Sequence, residues 1–263
     1  MKAATKDTVS ALDRGLALLQ CFGADQSALG PTDLARLTGI PRPSVTRLAA
    51  TLVAHRWLRA SPDGERFMLG AGVVSLAQTF LAGLDVRATA RGPMQQLAER
   101  TGGSVYLAMR DGLEMVIVEA CRPRSTMLAA RLDVGSRVPM PNSALGRAWL
   151  GAVDDATRDS VLDELERLHK RDWATLGAGL DRALAQRRRT GLTLSAGEFH
   201  REINSVSVAW VDARGETLAF NCGGAAFVFP DARLRNEVGP ALIAMVKALA
   251  ADLGGRAAVP VQR

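Results

Sequence analysis

Arg47 is the single basic side chain on a helix face otherwise made of small and hydroxylic residues, a combination suited to reading a nucleic acid. In the run Ile40 to Arg59, IPRPSVTRLAATLVAHRWLR, the apolar residues Val45, Leu48, Ala49 and Leu52 recur at helical spacing. Turning that stripe inward places Pro43, Arg47, Ala50 and Ala54 on the opposite side, with Ser44, Thr46 and Thr51 at its flanks. Pro43 falls in the first helical turn, where its missing N–H costs nothing and its φ is already set. At that end the free backbone N–H groups and the helix dipole favour a phosphate, and short side chains allow close approach to base edges. Taken alone, such a helix is an ordinary solvated surface helix. The elements around it decide between the two readings.

A second group that could do chemistry is Glu198, His200 and Glu202, an acid, an imidazole and an acid, with Ser205 and Cys222 as nucleophiles further on. A triad would need a base within hydrogen-bond reach of the nucleophile, and a charged loop beside a pocket mouth is the simpler expectation. His55, His169 and His200 lack metal-ligand spacing, and neither a G-x-S-x-G elbow nor a phosphate-binding G-x-x-x-x-G-K-[ST] loop is present. No metal, cofactor or catalytic residue is expected. The cluster RRRT at 187–190 closes a predicted helix, where cations offset the dipole.

The chain has 263 residues, 48% of them hydrophobic, which is ample for one large domain or two ordinary ones. Its three cysteines, Cys21, Cys121 and Cys222, are dispersed and odd in number, so a disulfide framework is not expected and a reducing cytoplasm fits. The N-terminus MKAATKDTVS lacks a signal-peptide core, and no long uncharged apolar run suggests a membrane span. Net charge is +6, and up to Gly70 nine Lys/Arg stand against six Asp/Glu. Half the positive excess therefore falls on about a quarter of the chain, a bias that suits phosphate contact.

SALDRGLALLQCF predicts a first helix from Leu12, Leu16 and Leu19, with Ser10 and Asp13 as its cap. GADQSALG reads as a loop, PTDLARLTG as a short second helix beginning near Thr32, and Pro43 to about His55 as the third. WLRA and ERFMLG then flank the turn Ser61-Pro62-Asp63-Gly64 as a hairpin. Three helices closed by a hairpin is the order of a winged helix-turn-helix. Its expected DNA contacts are Thr32, then Arg42, Pro43, Ser44, Thr46, Arg47 and Thr51 on the recognition helix, with Arg59 and Arg66 on the wing.

Beyond it, helical patterning breaks near Gly83 and again at Gly92-Pro93. SVYLAMR and EMVIVEA pair around Asp111-Gly112. SALGRAWLGAV, DATRDSVLDELERLH and LDRALAQRRR are helical, INSVSVAWV and TLAFNCGG pair again, and a terminal helix runs from about Asp231 to Leu253. This is an α+β sheet domain. The fold class is α/β multidomain: a winged domain at 1–70, a linker helix at 71–84 and a second domain at 85–263.

The residues and their order resemble the IclR family of bacterial transcription regulators, from about Val9 to Leu253. The resemblance rests on PTDLARLTGIPRPSVTRLAATLVAHRWLRASPDGERFMLG, on GSRVPMPNSALGRAWL and on GLTLSAGEFHREINSVSVAWVDARGETLAFNCGG. It implies a C-terminal GAF-like sensor domain and a ligand-responsive, oligomeric regulator, dimer or tetramer, on a palindromic or near-palindromic operator. Carried over, the effector site comprises Ser143, Ala144 and Leu145, then Glu198, Asn204 and Ser205, then Cys222 and Gly224, with Met127 as an apolar wall. Those groups suit a small organic acid. The implied partners are a double-stranded DNA operator, the small-molecule effector and a second copy of the chain, with no membrane. Many members carry an acid where Ser195 stands, a glycine where Glu202 stands and serines in the strand FNCGGAA, so the effector can differ from theirs. The alternative is a ligand-sensing or hydrolytic enzyme whose winged domain mediates protein contacts.

Overall fold

Leu18, Leu34, Val45 and Ala49 come from three different helices and are all fully withdrawn from solvent, so the N-terminal helices close on one small core with Leu29 and Ile40. The computed structural model describes residues 8–23, 25–124 and 132–260. The first elements are α1 (Ser10–Leu19), β1 (Ala28–Leu29), α2 (Pro31–Thr38), α3 (Arg42–Ala54), β2 (Leu58–Ala60), β3 (Phe67–Leu69) and α4 (Gly72–Ala82). The turn between α2 and α3 is short because Gly39 adopts φ 71°, a left-handed conformation that a residue with a Cβ enters at a cost. Asp33 accepts from the Gly30 N–H at 3.1 Å and so caps α2 at its start.

Three local expectations change. Ser10 does not cap α1: Val9 holds the cap position and no side chain bonds there. The stripe that reveals α1 is also not its buried face, since Leu12 and Leu16 are 62% and 50% exposed while Gly15 and Leu18 are buried. Within GADQSALG, Ala28 and Leu29 pair with β3, giving the wing a third strand in the order β1-β3-β2. Leu29 supplies the reason, because pairing lets its side chain enter the core.

The chain divides after Gly83 into two compact units, and α4 belongs to the first. The second unit runs α5 (Asp85–Thr101), β4 (Ser104–Asp111), β5 (Glu114–Cys121), β6 (Arg137–Pro139), α6 (Ala144–Leu150), α7 (Asp155–Leu168) and α8 (Trp173–Thr190). It continues through β7 (Thr193–His200), β8 (Ile203–Val211), β9 (Thr217–Ala225), α9 (Asp231–Arg233), a π-turn (Leu234–Val238), α10 (Gly239–Leu253) and β10 (Arg256–Ala257). The expected terminal helix is thus interrupted by one wide turn. The antiparallel sheet has the order β10-β8-β9-β4-β5-β6, and β7 also pairs with β8. Glu198 and His200, expected in a charged loop, thus lie on a strand.

Alternation along the strands separates two faces. Tyr106, Ala108, Ala209 and Ala219 pack with Leu145, Ala148 and Trp149 of α6, while α5 lies against β4 and β5 and α10 against β8. Gly92-Pro93 does not break α5, which runs unbroken to Thr101. An interior proline costs about 3 kcal/mol, but fully burying Met94 and Leu97 returns roughly 1.5–3 kcal/mol each, and Ala90 and Ala98 are buried beside them. The Glu119 carboxylate, 4% exposed on β5, adds ion pairs to Arg87 at 3.0 Å and Arg91 at 3.3 Å.

Candidate functional site

On α3 the core claims Val45 and Ala49, which leaves Arg42, Pro43, Thr46, Arg47 and Thr51 exposed and Ser44 half-buried. Thr46 and Thr51 donate their hydroxyls to the carbonyls of Arg42 and Arg47, at 3.1 and 3.2 Å. Their hydrogens are thereby used within the helix, and the face offers oxygen lone pairs and methyl groups, the latter suited to a thymine methyl. Thr32 is exposed in the first turn of α2. Arg59 and Arg66 are exposed on the wing, whose turn is pinned by Ser61 bonding to Asp63 and to both the N–H and carbonyl of Arg66. That Ser61 hydroxyl, then the Glu65 N–H, hold the Asp63 carboxyl below the usual carboxylate range.

In the second unit a partly open cavity of about 230 Å³ lies over the sheet. Strand register fixes its floor. Ser104 of β4 stands opposite Gly223 of β9, which stands opposite Ser205 of β8. One step along, Tyr106, Asn221 and Ser207 form the next row, and Asn221 donates to the Ser207 hydroxyl at 2.8 Å. Gly223 is required there: a Cβ would sit 2.4 Å from the Asn204 carbonyl oxygen and 2.5 Å from the Ser205 Cβ. The floor is therefore bare between two serines. The Ser104 side-chain oxygen is buried and has no hydrogen-bond partner, which is costly unless a ligand or water supplies one.

Ser143, Ala144 and Leu145 at the start of α6 also line the cavity, as do Val138, Phe199 and His200. Ser143 is occupied structurally: its hydroxyl donates to the Pro139 carbonyl at 2.5 Å and accepts from the Gly146 N–H at 3.1 Å. β7 secures the neighbouring loop, with Ser195 donating to the Asn142 carbonyl and Thr193 to that of Ala144, both at 2.8 Å.

Of the expected effector residues, the structure brings Ser143, Ala144, Leu145, Ser205 and Gly224 together around this cavity. Glu198 instead pairs with the buried Arg147, whose hydrogen bonds hold the Glu198 carboxyl below its ordinary range. Asn204 donates to the Phe229 carbonyl at 3.0 Å and does not line the cavity. Cys222 alternates onto the opposite face, where it meets Thr101 at 3.5 Å and burial pushes its thiol up to about 11. Met127 lies outside the described residues. Ser104, Tyr106, Asn221 and Gly223 are cavity residues that the sequence does not single out, whereas His200 lines the cavity as a residue expected beside a pocket mouth. The alternation Ser104, Val105, Tyr106, Leu107 carried a signal for the first two.

The acid and imidazole cluster does not assemble a triad. Glu198 is committed to Arg147, the His200 Nδ1 accepts from the Glu202 N–H at 3.4 Å, and the Cys222 thiol is a poor nucleophile on the far face. Among the described residues no group of three His, Cys, Asp or Glu could hold a metal, and no helix is long and apolar enough to cross a membrane.

Two family models match the chain. The IclR helix-turn-helix domain covers residues 11–62, and the bacterial transcriptional regulator IclR C-terminal domain covers 78–254. The chain belongs to the IclR family. It is 32% identical over 254 residues to the HTH-type transcriptional regulator TsaQ1/TsaQ2 of Comamonas testosteroni, covering 96% of this chain and 90% of that protein. A solved IclR family regulator from Brucella abortus superposes with a TM-score of 0.87 at 35% identity, over 96% of this chain and 95% of that one. An IclR homolog from Microbacterium hydrocarbonoxydans, solved in complex with 4-hydroxybenzoate, shares the fold at TM-score 0.71 and 22% identity over 93% and 97% of the two chains. The IclR chain described here is thus a transcription regulator with a DNA-binding and an effector-binding domain, and its relatives are regulators, not enzymes.

Proposed function

We propose that this IclR regulator binds a palindromic or near-palindromic operator as an oligomer and is controlled by a small organic acid held over the Ser104, Gly223 and Ser205 row. α3 enters the major groove by its N-terminal end, Arg47 contacts a base edge, and Arg59 and Arg66 meet phosphates. The observation that carries the ligand reading is the cavity of about 230 Å³ with an unpartnered hydroxyl in its floor. Its volume is below the roughly 300–1,000 Å³ of clefts for drug-sized ligands, so the occupant is smaller. An apolar body fits over Gly223, and Ser104, Ser205 and His200 can meet oxygens at its edges.

Self-association is supported by Leu12 and Leu16 on α1 and by Val74, Leu76 and Phe80 on α4, apolar side chains at least half exposed. Two winged units related by a twofold axis match two half-sites. The effector acts by binding two states of that assembly unequally.

The test is a mobility-shift titration of the purified protein on the intergenic DNA upstream of its own gene, with competitor DNA present. It is repeated with a panel of short aliphatic and aromatic acids that includes 4-hydroxybenzoate. A specific shift whose midpoint moves with one acid is the expected result. No competitor-resistant shift at any salt concentration would remove the operator reading, and a shift indifferent to every acid would remove the acid.

A further inference from the structure

Arg187, in the last turn of α8, does not serve its own helix. It donates through Nη1 to the carbonyl of Gly151, the residue that ends α6, and through Nη2 to the Ala258 carbonyl at 2.7 Å. Both partners are neutral. Its Nε is enclosed with no partner, and burial, with Arg256 and Arg158 adding repulsion, brings the guanidinium down to about 10. A cation in this position lacks the counter-ion that burial ordinarily demands.

Beside it is a cavity of about 170 Å³ whose walls include Arg158, Arg187 and Arg188 together with Leu162, Leu184 and Asp181. Among the described residues, Arg187, Arg188 and Asp181 form no ion pair. Arg158 is held at 2.5 Å by Asp155 and at 3.9 Å by Asp159, carboxylates that are 87% and 71% exposed and well screened.

We propose that this cavity is a second binding site, for a phosphate-type oxyanion: inorganic phosphate or the phosphate group of a small metabolite. Guanidinium forks present paired N–H donors to tetrahedral oxygens, and neither Arg187 nor Arg188 has a carboxylate partner among the described residues. With Arg158 already paired and Asp181 in the same wall, Arg187 and Arg188 still leave the cavity an excess of positive charge for an oxyanion to answer. The site lies at the C-terminal end of α6, whose N-terminal end lines the effector cavity, so the two sites flank one helix roughly 10 Å long. An anion there changes how firmly Arg187 holds the end of that helix.

The experiment follows thermal melting of the full-length protein as inorganic phosphate replaces chloride at constant ionic strength. Wild type is expected to rise by about 2–4 °C at saturation. The double variant Arg158→Gln/Arg188→Gln is expected to lose that rise, and Lys247→Gln on α10 to keep it. Arg187 stays intact because its loss would free two backbone carbonyls. Arg188→Gln alone, an exposed position, is expected to show a smaller rise than wild type and covers the case of a misfolded double variant. No rise in wild type overturns the proposal. So does an undiminished rise in the Arg188 and double variants, which would mean an adventitious ion only. A parallel arm with glycerol 3-phosphate separates the sources: an equal rise assigns the site to phosphate monoesters, and a rise with inorganic phosphate alone assigns it to the free ion.

Discussion

Arg147 and Glu198 meet through two parallel hydrogen bonds, Nη1 to Oε1 at 2.8 Å and Nη2 to Oε2 at 2.5 Å. The same guanidinium donates to the carbonyls of Pro141 at 2.9 Å and Leu194 at 2.8 Å. One buried side chain therefore ties α6, the loop before it and β7 together, and these three segments contribute to the wall of the effector cavity. Glu198 acts on the ligand site through the position of its neighbours.

Glu198→Ala leaves the Arg147 charge, 2% exposed, without its carboxylate. Breaking a fully buried pair costs about 3–5 kcal/mol. Here the Glu198 side chain is 41% exposed and solvent screens it, so a loss of roughly 1–3 kcal/mol is expected in urea denaturation at neutral pH. The folded-state pKa is depressed, chiefly by the Arg147 hydrogen bonds. The contribution is therefore complete above the unfolded value of about 4.3 and disappears as pH falls through the lower folded value. Wild-type and variant stabilities should converge in acid; a gap that is constant with pH contradicts the assignment.

Ser104→Ala separates a ligand contact from a structural one. Removing a buried hydroxyl that has no partner should leave the free protein as stable or raise it by up to about 1 kcal/mol. The same change should weaken the effector response, because the hydroxyl that the ligand satisfies is gone. Melting with and without the acid identified by mobility shift reads both effects. A destabilised apo protein with an unchanged ligand response would show that Ser104 has only a packing role.

The helix-turn-helix was legible because its helices announce themselves by period and its turns by glycine and proline, and the residues turned outward on α3 are those the spacing put there. The cavity was less so. Cys222 and Gly223 are neighbours in the chain but face opposite sides of β9, and the choice between them depends on register with Ser104 and Ser205, which no local pattern contains. β7 has no clear strand pattern, because GLTLSAGEFH has two glycines and a bulge where it pairs with β8. Leu12 and Leu16 gave the right helix and the wrong face, since periodicity cannot tell a core from a surface awaiting a partner.

Arg47→Ala should weaken operator binding by roughly 1–3 kcal/mol if Arg47 reads a base, and relax preference at one position of each half-site. Arg66→Ala should weaken all sequences alike and lower the salt dependence by about one unit. Titrations of both variants across salt concentrations distinguish these outcomes. An Arg47 variant that binds like wild type, or an Arg66 variant with an unaltered salt slope, removes the corresponding contact.

Phe80→Glu combined with Leu12→Glu tests the exposed apolar faces of α1 and α4. Both side chains are at least half exposed in the isolated chain, so within one copy the substitutions should change stability by no more than about 0.5 kcal/mol each. If those faces join two copies, each carboxylate would be buried without a partner at the contact, and association should fail. Sedimentation velocity would then show wild type as an oligomer and the variant as a monomer with the same helix content. Operator affinity should fall with it, because two half-sites held by separate monomers no longer share one binding event. An unchanged sedimentation coefficient would place the interface elsewhere on the chain, leaving Leu12 and Phe80 as solvated apolar residues with no part in assembly.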